Sequence, residues 1–301
     1  MISKDGSAVA YFADDELYLY KGGKSQKLAS EVSSRYLVIA PDGSAVGYAT
    51  EDDEGKFKGY VWDGKENELG KKKVPYALSK GASLVYYLKL DDSNSVESFN
   101  VQKKYNEDTK NKLADARYSN IIFNADNTQI LVYDGEAEKT FYSENGGEKQ
   151  QAFKYSVSAI RPANTYASKN LKNAYYYNNS DDKIVRLTNK LETVTVATKV
   201  SGAQLSTDGK TFVFLREEKL KKVDGSKAEP EAIDLDSDVS SFGCTEDCST
   251  VYYIKDGEIF AKKGTGDSKR VTDEEPGYSA LYNGKTFLYS LDDALYSSTG
   301  D

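Results

Sequence analysis

The chain contains no histidine, and its 301 residues include one Trp, one Met, two Cys and five Pro. Without imidazole, Ser-His-Asp and Cys-His nucleophile systems are excluded, along with the nitrogen ligands usual for zinc. Carboxylate pairs, Lys, Tyr and Ser-Lys arrangements stay open. No run approaches the roughly 18 apolar residues of a membrane-spanning helix. The opening Met1-Ile2-Ser3-Lys4-Asp5 has no apolar segment of the signal-peptide kind. A positive excess is missing too: 40 Lys and Arg against 48 Asp and Glu leave a net charge of −8. The short basic run Lys71-Lys72-Lys73 stands near Glu66 and Glu68. Nucleic acid and anionic membrane surfaces are disfavoured as partners on that ground.

What is present is a repeat. SKDGSAVAYFADDELYLYKGG (3–23) and STDGKTFVFLREEKLKKVDGS (206–226) share Ser-x-Asp-Gly, an apolar run ending in an aromatic, two acidic residues, Leu and a glycine. The turn position recurs at Asp5, Asp42, Lys80, Asp126, Asn164, Asp208, Asp247 and Asn283. A spacing of about 40 residues is the signature of a solenoid or propeller. Tyr11, Tyr48, Phe214, Tyr253 and Tyr289 each stand six residues after their marker, and Leu17, Leu220, Ile259 and Leu295 twelve after.

The pieces between markers read as strands. VAYF, VGYA, LVYYL, TFVFL, VYYI and TFLY are short β-branched and aromatic runs, and none contains proline. Third strands follow in LYLY, GYVW, EIFAKK and ALYSS. No long stretch has the helical period. Four antiparallel strands per repeat is the pattern of a propeller blade. The expectation is an all-β chain forming one β-propeller domain over residues 1–301. Eight markers predict eight blades, with seven and one irregular unit as the alternative. The first blade lacks its innermost strand and the last its outermost, so the ends are expected to be either trimmed or completed by segments outside residues 1–301. The repeat around Pro162-Ala163-Asn164 is the least regular.

The pattern Ser/Pro-x-Asp-Gly, apolar strand, acidic loop, Leu-Tyr, Gly-Gly resembles the propeller repeats of the TolB type, which are similar to those of prolyl-oligopeptidase propellers. The clearest copies are 3–28, 41–69, 206–233 and 247–271. The resemblance implies a propeller with contacts to protein or ligand on its faces, often in extracytoplasmic bacterial proteins, and no shared catalytic residues. The hydrolase domain of the prolyl-oligopeptidase relatives has no room in this chain.

Several motifs need weighing. Cys244 and Cys248 flank Thr-Glu-Asp; aligned on the turn at 206–209 they replace Ser206 and Gly209. There they would face each other near the roughly 5.5 Å Cα separation of a disulfide. A disulfide is the expectation, free thiols the alternative, and a bridge would favour an oxidising, extracytoplasmic setting. A metal at this pair lacks third and fourth soft ligands. The stretch Asp234-Leu235-Asp236-Ser237-Asp238 does not fit an EF-hand loop, because Val239 and Thr245 stand where Gly and Glu are needed. It reads as a solvated inter-blade loop. Adjacent Asp-Gly, with the sole Trp62 on a third strand, argues against an Asp-box sialidase.

The 24 tyrosines divide in two. Those at repeat positions, such as Tyr11, Tyr48, Tyr253 and Tyr289, suit packing between blades with the hydroxyl at the edge. A second set stands where each outer strand passes to the next inner one: Arg35-Tyr36, Pro75-Tyr76, Arg117-Tyr118, Lys154-Tyr155 and Gly277-Tyr278. Val200 and Val239 occupy the corresponding place further on. In a propeller these crossovers emerge on one face around the central opening. Arg35, Tyr36, Tyr76, Arg117, Tyr118, Lys154, Tyr155 and Tyr278 are therefore the candidate ligand-binding residues, with blade packing as the competing reading.

Acidic pairs such as Asp14-Asp15, Asp52-Asp53, Asp181-Asp182 and Asp292-Asp293 fall in or beside hairpin loops, where charge keeps edges soluble. The expectation is a non-catalytic binding or scaffold propeller, monomeric, without cofactor or metal, extracytoplasmic on a bacterial surface or secreted. Its ligand would be a protein, peptide or cell-wall glycan. A carbohydrate-active enzyme using two carboxylates and a pure spacer are the alternatives.

Overall fold

The turns at Asp5, Asp208 and Asp247 are closed by their own side chains. In the computed structural model, Ser3 Oγ donates to Asp5 Oδ1 at 2.8 Å, and the same carboxylate accepts the Ser7 amide. Ser206 with Asp208 and Thr245 with Asp247 repeat the bond at 2.7 Å. The hydroxyl in turn accepts the amide of the residue five places on, at Ala8, Thr211 and Thr250. After the Asp the backbone must turn left-handed, which Gly adopts without a Cβ penalty; φ is 72° at Gly6, 60° at Gly43 and 72° at Gly209. Ser-x-Asp-Gly is thus a self-contained instruction to reverse the chain.

The structure describes residues 1–299 except Asp15, 161–169, Asn179, 225–230, Glu275, 283–285 and Asp293; the side chains of 106, 107, 159 and 278–282 also lie outside the described set. The markers Asn164 and Asn283, with the side chain of Tyr278, therefore fall outside it.

The reversals at Asp42, Asp126, Asp208 and Asp247 join the first and second strands of antiparallel meanders paired in chain order. Four-stranded sheets span 32–71, 73–115, 118–153, 157–197, 200–236 and 239–272, and three-stranded sheets span 8–30 and 278–298. Eight sheets match eight markers, and the four-stranded meander is the unit of which propellers are made. Among the described residues there is no α-helix; the one helical turn, 3-10 in type, is Lys80–Ala82, which takes the place of the marker turn in the third sheet. The missing innermost strand of the first sheet has a short counterpart: Ile2 bridges Val9, and the Met1 carbonyl accepts the Ala10 amide at 2.8 Å. The first strand of the fifth sheet is only Val157–Ala159, in keeping with the irregular repeat.

The sheets fall into two compact units, one over Met1–Ser156 and the other from Val157 onward. In the first, Phe57, Tyr86, Phe99, Ile130 and Val132 join three successive sheets in one buried cluster. In the second, Tyr175, Ile184, Phe212 and Phe214 do the same for the fifth and sixth. The repeat tyrosines behave as packing residues. Tyr11–Tyr18, Tyr48–Tyr60, Tyr253–Phe260 and Tyr289–Tyr296 are direct cross-strand partners with stacked rings 5.5–5.7 Å apart. Their hydroxyls reach polar partners on the outer strands, Tyr11 to Ser25, Tyr48 to Glu66 and Tyr253 to Asp236 and Ser268. Leu17, Leu220 and Ile259 are fully buried, whereas Leu295, in the three-stranded last sheet, is 66% exposed.

Two expectations are corrected. Cys244 and Cys248 are free thiols with sulfurs 3.0 Å apart, not the roughly 2.05 Å of a disulfide. Cys248 does replace Gly209 and keeps a left-handed φ of 52°. Thr245, however, is the counterpart of Ser206, so Cys244 stands where the sixth sheet has Leu205. Both sulfurs serve as small apolar groups among Val213, Leu220, Leu235 and Val251. Burial and the Cys248 contact push the Cys244 thiol up, the contact more strongly. The stretch 234–238 is only partly a solvated loop: Ala232–Asp236 is a strand, and Ser237 and Asp238 form the exposed bend to the next sheet. Asp234 pairs with Lys221, and Asp236 accepts Lys255 at 2.9 Å and the Tyr253 hydroxyl.

Adjacent sheets are tied by a recurring lysine. Lys21 donates to the Gly43 carbonyl at 2.9 Å, and Lys222 to the Cys248 carbonyl at 2.6 Å. Both acceptors are the left-handed residue of the next sheet's turn.

Candidate binding surface

Small residues bring the second and third sheets together. A Cβ on Gly59 would stand 2.0 Å from the Lys73 carbonyl oxygen, and one on Gly47 2.8 Å from the Pro75 ring. Only glycine lets the strand Lys73–Leu78 lie against its neighbour here. That strand carries Tyr76.

Irregular pairing then frees Tyr36 and Tyr76 from their ladders, while Tyr118 stays paired with Asp134 beside a bulge. In the strand Val32–Ile39, Ser33 pairs with Ala49 and Val38 with Gly47, so residues 34–37, including Arg35 and Tyr36, lie opposite Tyr48 alone. In the third sheet Pro75 pairs with Tyr87 and Ala77 with Tyr86, leaving Tyr76 as the extra residue. In the fourth the extra residue is Asn120, two places after Tyr118. Bulges of this kind re-aim side chains at sheet edges and binding sites.

Two of the tyrosines, Tyr76 and Tyr118, meet. Tyr76 lies edge-on to Phe99 at 5.1 Å and to Tyr118 at 6.4 Å, with Phe123 6.5 Å away. Tyr118 stacks on Phe99 at 5.2 Å, and Tyr36 stands edge-on to Phe57 at 4.9 Å. Tyr36 and Tyr118 are half-buried against the large cluster of the first unit, and Tyr76 is 37% exposed. The Tyr118 hydroxyl is pushed up to about 12 by burial first and then by the nearness of Tyr76 and Tyr36. Burial also raises Tyr76. Tyr36 and Tyr118 pack against the same buried cluster, and Tyr76 joins it through Phe99 and Tyr118.

An arginine covers one of these rings. The Arg35 guanidinium lies over the Tyr36 ring at 5.4 Å, a cation–π contact. Arg35, Arg117 and Lys154 are exposed, and none takes part in any of the thirteen ion pairs among the described residues. Tyr155 is half-buried between its strands; its ring lies 5.7 Å from Phe153, and its carbonyl accepts the Thr140 hydroxyl. The side chain of Tyr278 is outside the described residues.

These tyrosines, expected to be repeat equivalents, stand at different places in their ladders. The first strands end at Ile39↔Val46, Leu78↔Val85 and Phe123↔Ile130; Tyr36, Tyr76 and Tyr118 lie three, two and five residues before those ends. Val200 and Val239, both buried, lie five before theirs and so match Tyr118 alone. The cluster arises from three different registers that converge. Phe57, Phe99 and Phe123, which complete it, went unnoticed because nothing distinguishes them in sequence from other strand aromatics.

No family model matches the sequence, and no curated protein matches it. Solved structures do resemble it. The eukaryotic initiation factor aligns over 97% of this chain and 81% of its own, with TM-score 0.50 and 12% identity. The β-propeller domain of the Trilobed protease from Pyrococcus furiosus aligns over 89% and 95%, with TM-score 0.41 and 14% identity. A protein assigned as TolB from Agrobacterium tumefaciens aligns over 90% and 78%, with TM-score 0.33 and 12% identity. The likeness is one of fold alone, and the chain is an all-β protein whose successive four-stranded meanders are the unit of which propellers are made.

Proposed function

We propose that this propeller-type chain is a non-catalytic binding module whose ligand, a protein, peptide or glycan, meets the surface made by Tyr36, Tyr76 and Tyr118. The observation that carries the reading is Tyr76. It is a tyrosine lifted out of its ladder by a bulge, more than a third exposed, and backed by a rigid floor of Phe99, Phe123 and Tyr118. A large amphipathic ring on a rigid support is the kind of residue that concentrates binding energy. The repeat resemblance supports an extracytoplasmic place for the module. The free thiols withdraw the chemical argument for an oxidising compartment, so that part rests on the resemblance alone.

The test is a melting-temperature screen of the whole chain against short peptides and oligosaccharides. A ligand at 100 times its Kd stabilises by ~2.7 kcal/mol and raises the melting temperature visibly. Replacing Tyr76 by Ser is expected to abolish the shift while the unliganded protein melts nearly as before, because the ring is partly exposed. A blank screen, or a hit indifferent to Tyr76→Ser, would overturn the reading.

A further inference from the structure

Resting on that reading, we infer that the surface takes an acidic peptide segment of a partner protein, with a carboxylate on Arg35 and an apolar side chain against Tyr76. The protein carries a net charge of −8, yet Arg35, over the Tyr36 ring, is free of ion pairs among the described residues. Some exposed lysines elsewhere are engaged with carboxylates, as in Lys199–Glu217 and Lys89–Glu97. An arginine held by a ring face keeps its planar fork of N–H donors outward, the geometry that receives a carboxylate in two parallel bonds. Stacking also costs the side chain some freedom in advance, which lowers the entropy lost on binding.

The same contact argues against a sugar platform. Sugar rings lie flat on open aromatic faces, and here Arg35 covers a face of Tyr36. Tyr76 and Tyr118 meet at 89° and so present an edge beside a face. A cleft between rings at right angles fits a peptide side chain better than a pyranose. Arg117, exposed and next to Tyr118 in the chain, supplies a second positive charge for a segment with more than one acid.

The experiment uses the whole chain and three labelled probes in fluorescence anisotropy: a Glu/Phe-containing decapeptide, the same peptide with Lys in place of Glu, and an oligogalacturonate. Binding is expected for the acidic peptide alone, weakening at least tenfold with Arg35→Glu and falling steeply with added salt. Arg35→Lys should lose part of the affinity, because an ammonium cannot make the paired bonds. Arg35 is exposed, so these variants leave the fold in place, which the unchanged melting temperature verifies. Acidic-peptide binding that survives Arg35→Glu but not Tyr76→Ser would overturn this inference and keep the binding module. Preference for the basic peptide or the oligogalacturonate, or no binding to any probe, overturns it as well.

Discussion

Asp236 shows how much one carboxylate can join. It ends a strand of the sixth sheet and accepts three groups of the seventh, the Tyr253 hydroxyl, the Lys255 ammonium at 2.9 Å and Ser268 Oγ at 3.4 Å, besides the Ser237 amide. Burial works to raise its pKa, and the bonds from Lys255 and Tyr253 outweigh it, so the carboxyl is held below the usual range. Replacing Asp236 by Ala removes the main acceptor of a buried tyrosine and should cost about 1–3 kcal/mol. Asp236→Asn, which keeps an acceptor, should cost less. Urea unfolding followed by tyrosine fluorescence measures both, and an unmoved midpoint for the Ala variant would show that the network contributes nothing. The acid itself was plain in the sequence. Its partners were not, since Tyr253 and Lys255 lie on the next sheet at a distance no local spacing encodes. The cysteine pair misled for a related reason: four residues apart reads as a bridge, whereas the turn gives both sulfurs a place in the apolar core.

At the scale of strands, the glycines separate two uses of a missing side chain. Gly209 is needed for its φ of 72° and has open space around its missing Cβ, so Gly209→Ala should cost about 1 kcal/mol from the left-handed backbone alone. Gly59 is needed for room: a methyl there meets the Lys73 carbonyl at 2.0 Å, and Gly59→Ala must push a strand aside. Overpacking of this kind costs about 1–3 kcal/mol. Because the displaced strand carries Tyr76, Gly59→Ala should also weaken ligand binding, while Gly209→Ala leaves it unchanged. Paired melting and anisotropy measurements decide this, and equal effects of the two changes on affinity would refute it. Strand identity and turn chemistry were legible because Ser-x-Asp-Gly and β-branched runs act locally. The bulges at Tyr36 and Tyr76 were not, since a bulge is a mismatch between two strands and neither sequence alone contains it.

Across the whole chain the marker carboxylates act together. Asp5 is lowered to about 2, chiefly by the Ser7 amide and hydroxyl and the Ser3 hydroxyl. Asp208 is lowered, first by Ser206. Asp42 and Asp247 are lowered as well, with burial opposing and their turn hydrogen bonds prevailing. Folded values below the unfolded ~3.9 mean that these charges favour the folded state above that pH. The contribution is lost as pH falls from about 4 toward 2. The melting temperature should therefore hold steady above pH ~5 and drop steeply below pH ~4, and a flat profile down to pH 2 would contradict the turn assignment. The lysine that ties one sheet to the next follows a different logic. Lys21 and Lys222 bind a main-chain carbonyl, which any residue offers, and so the same tie forms whether its acceptor is Gly43 or Cys248. A joint blind to side chains lets a unit be copied and its copies drift apart in sequence without coming loose, and an ancestry of tandem duplication leaves a chain of this kind.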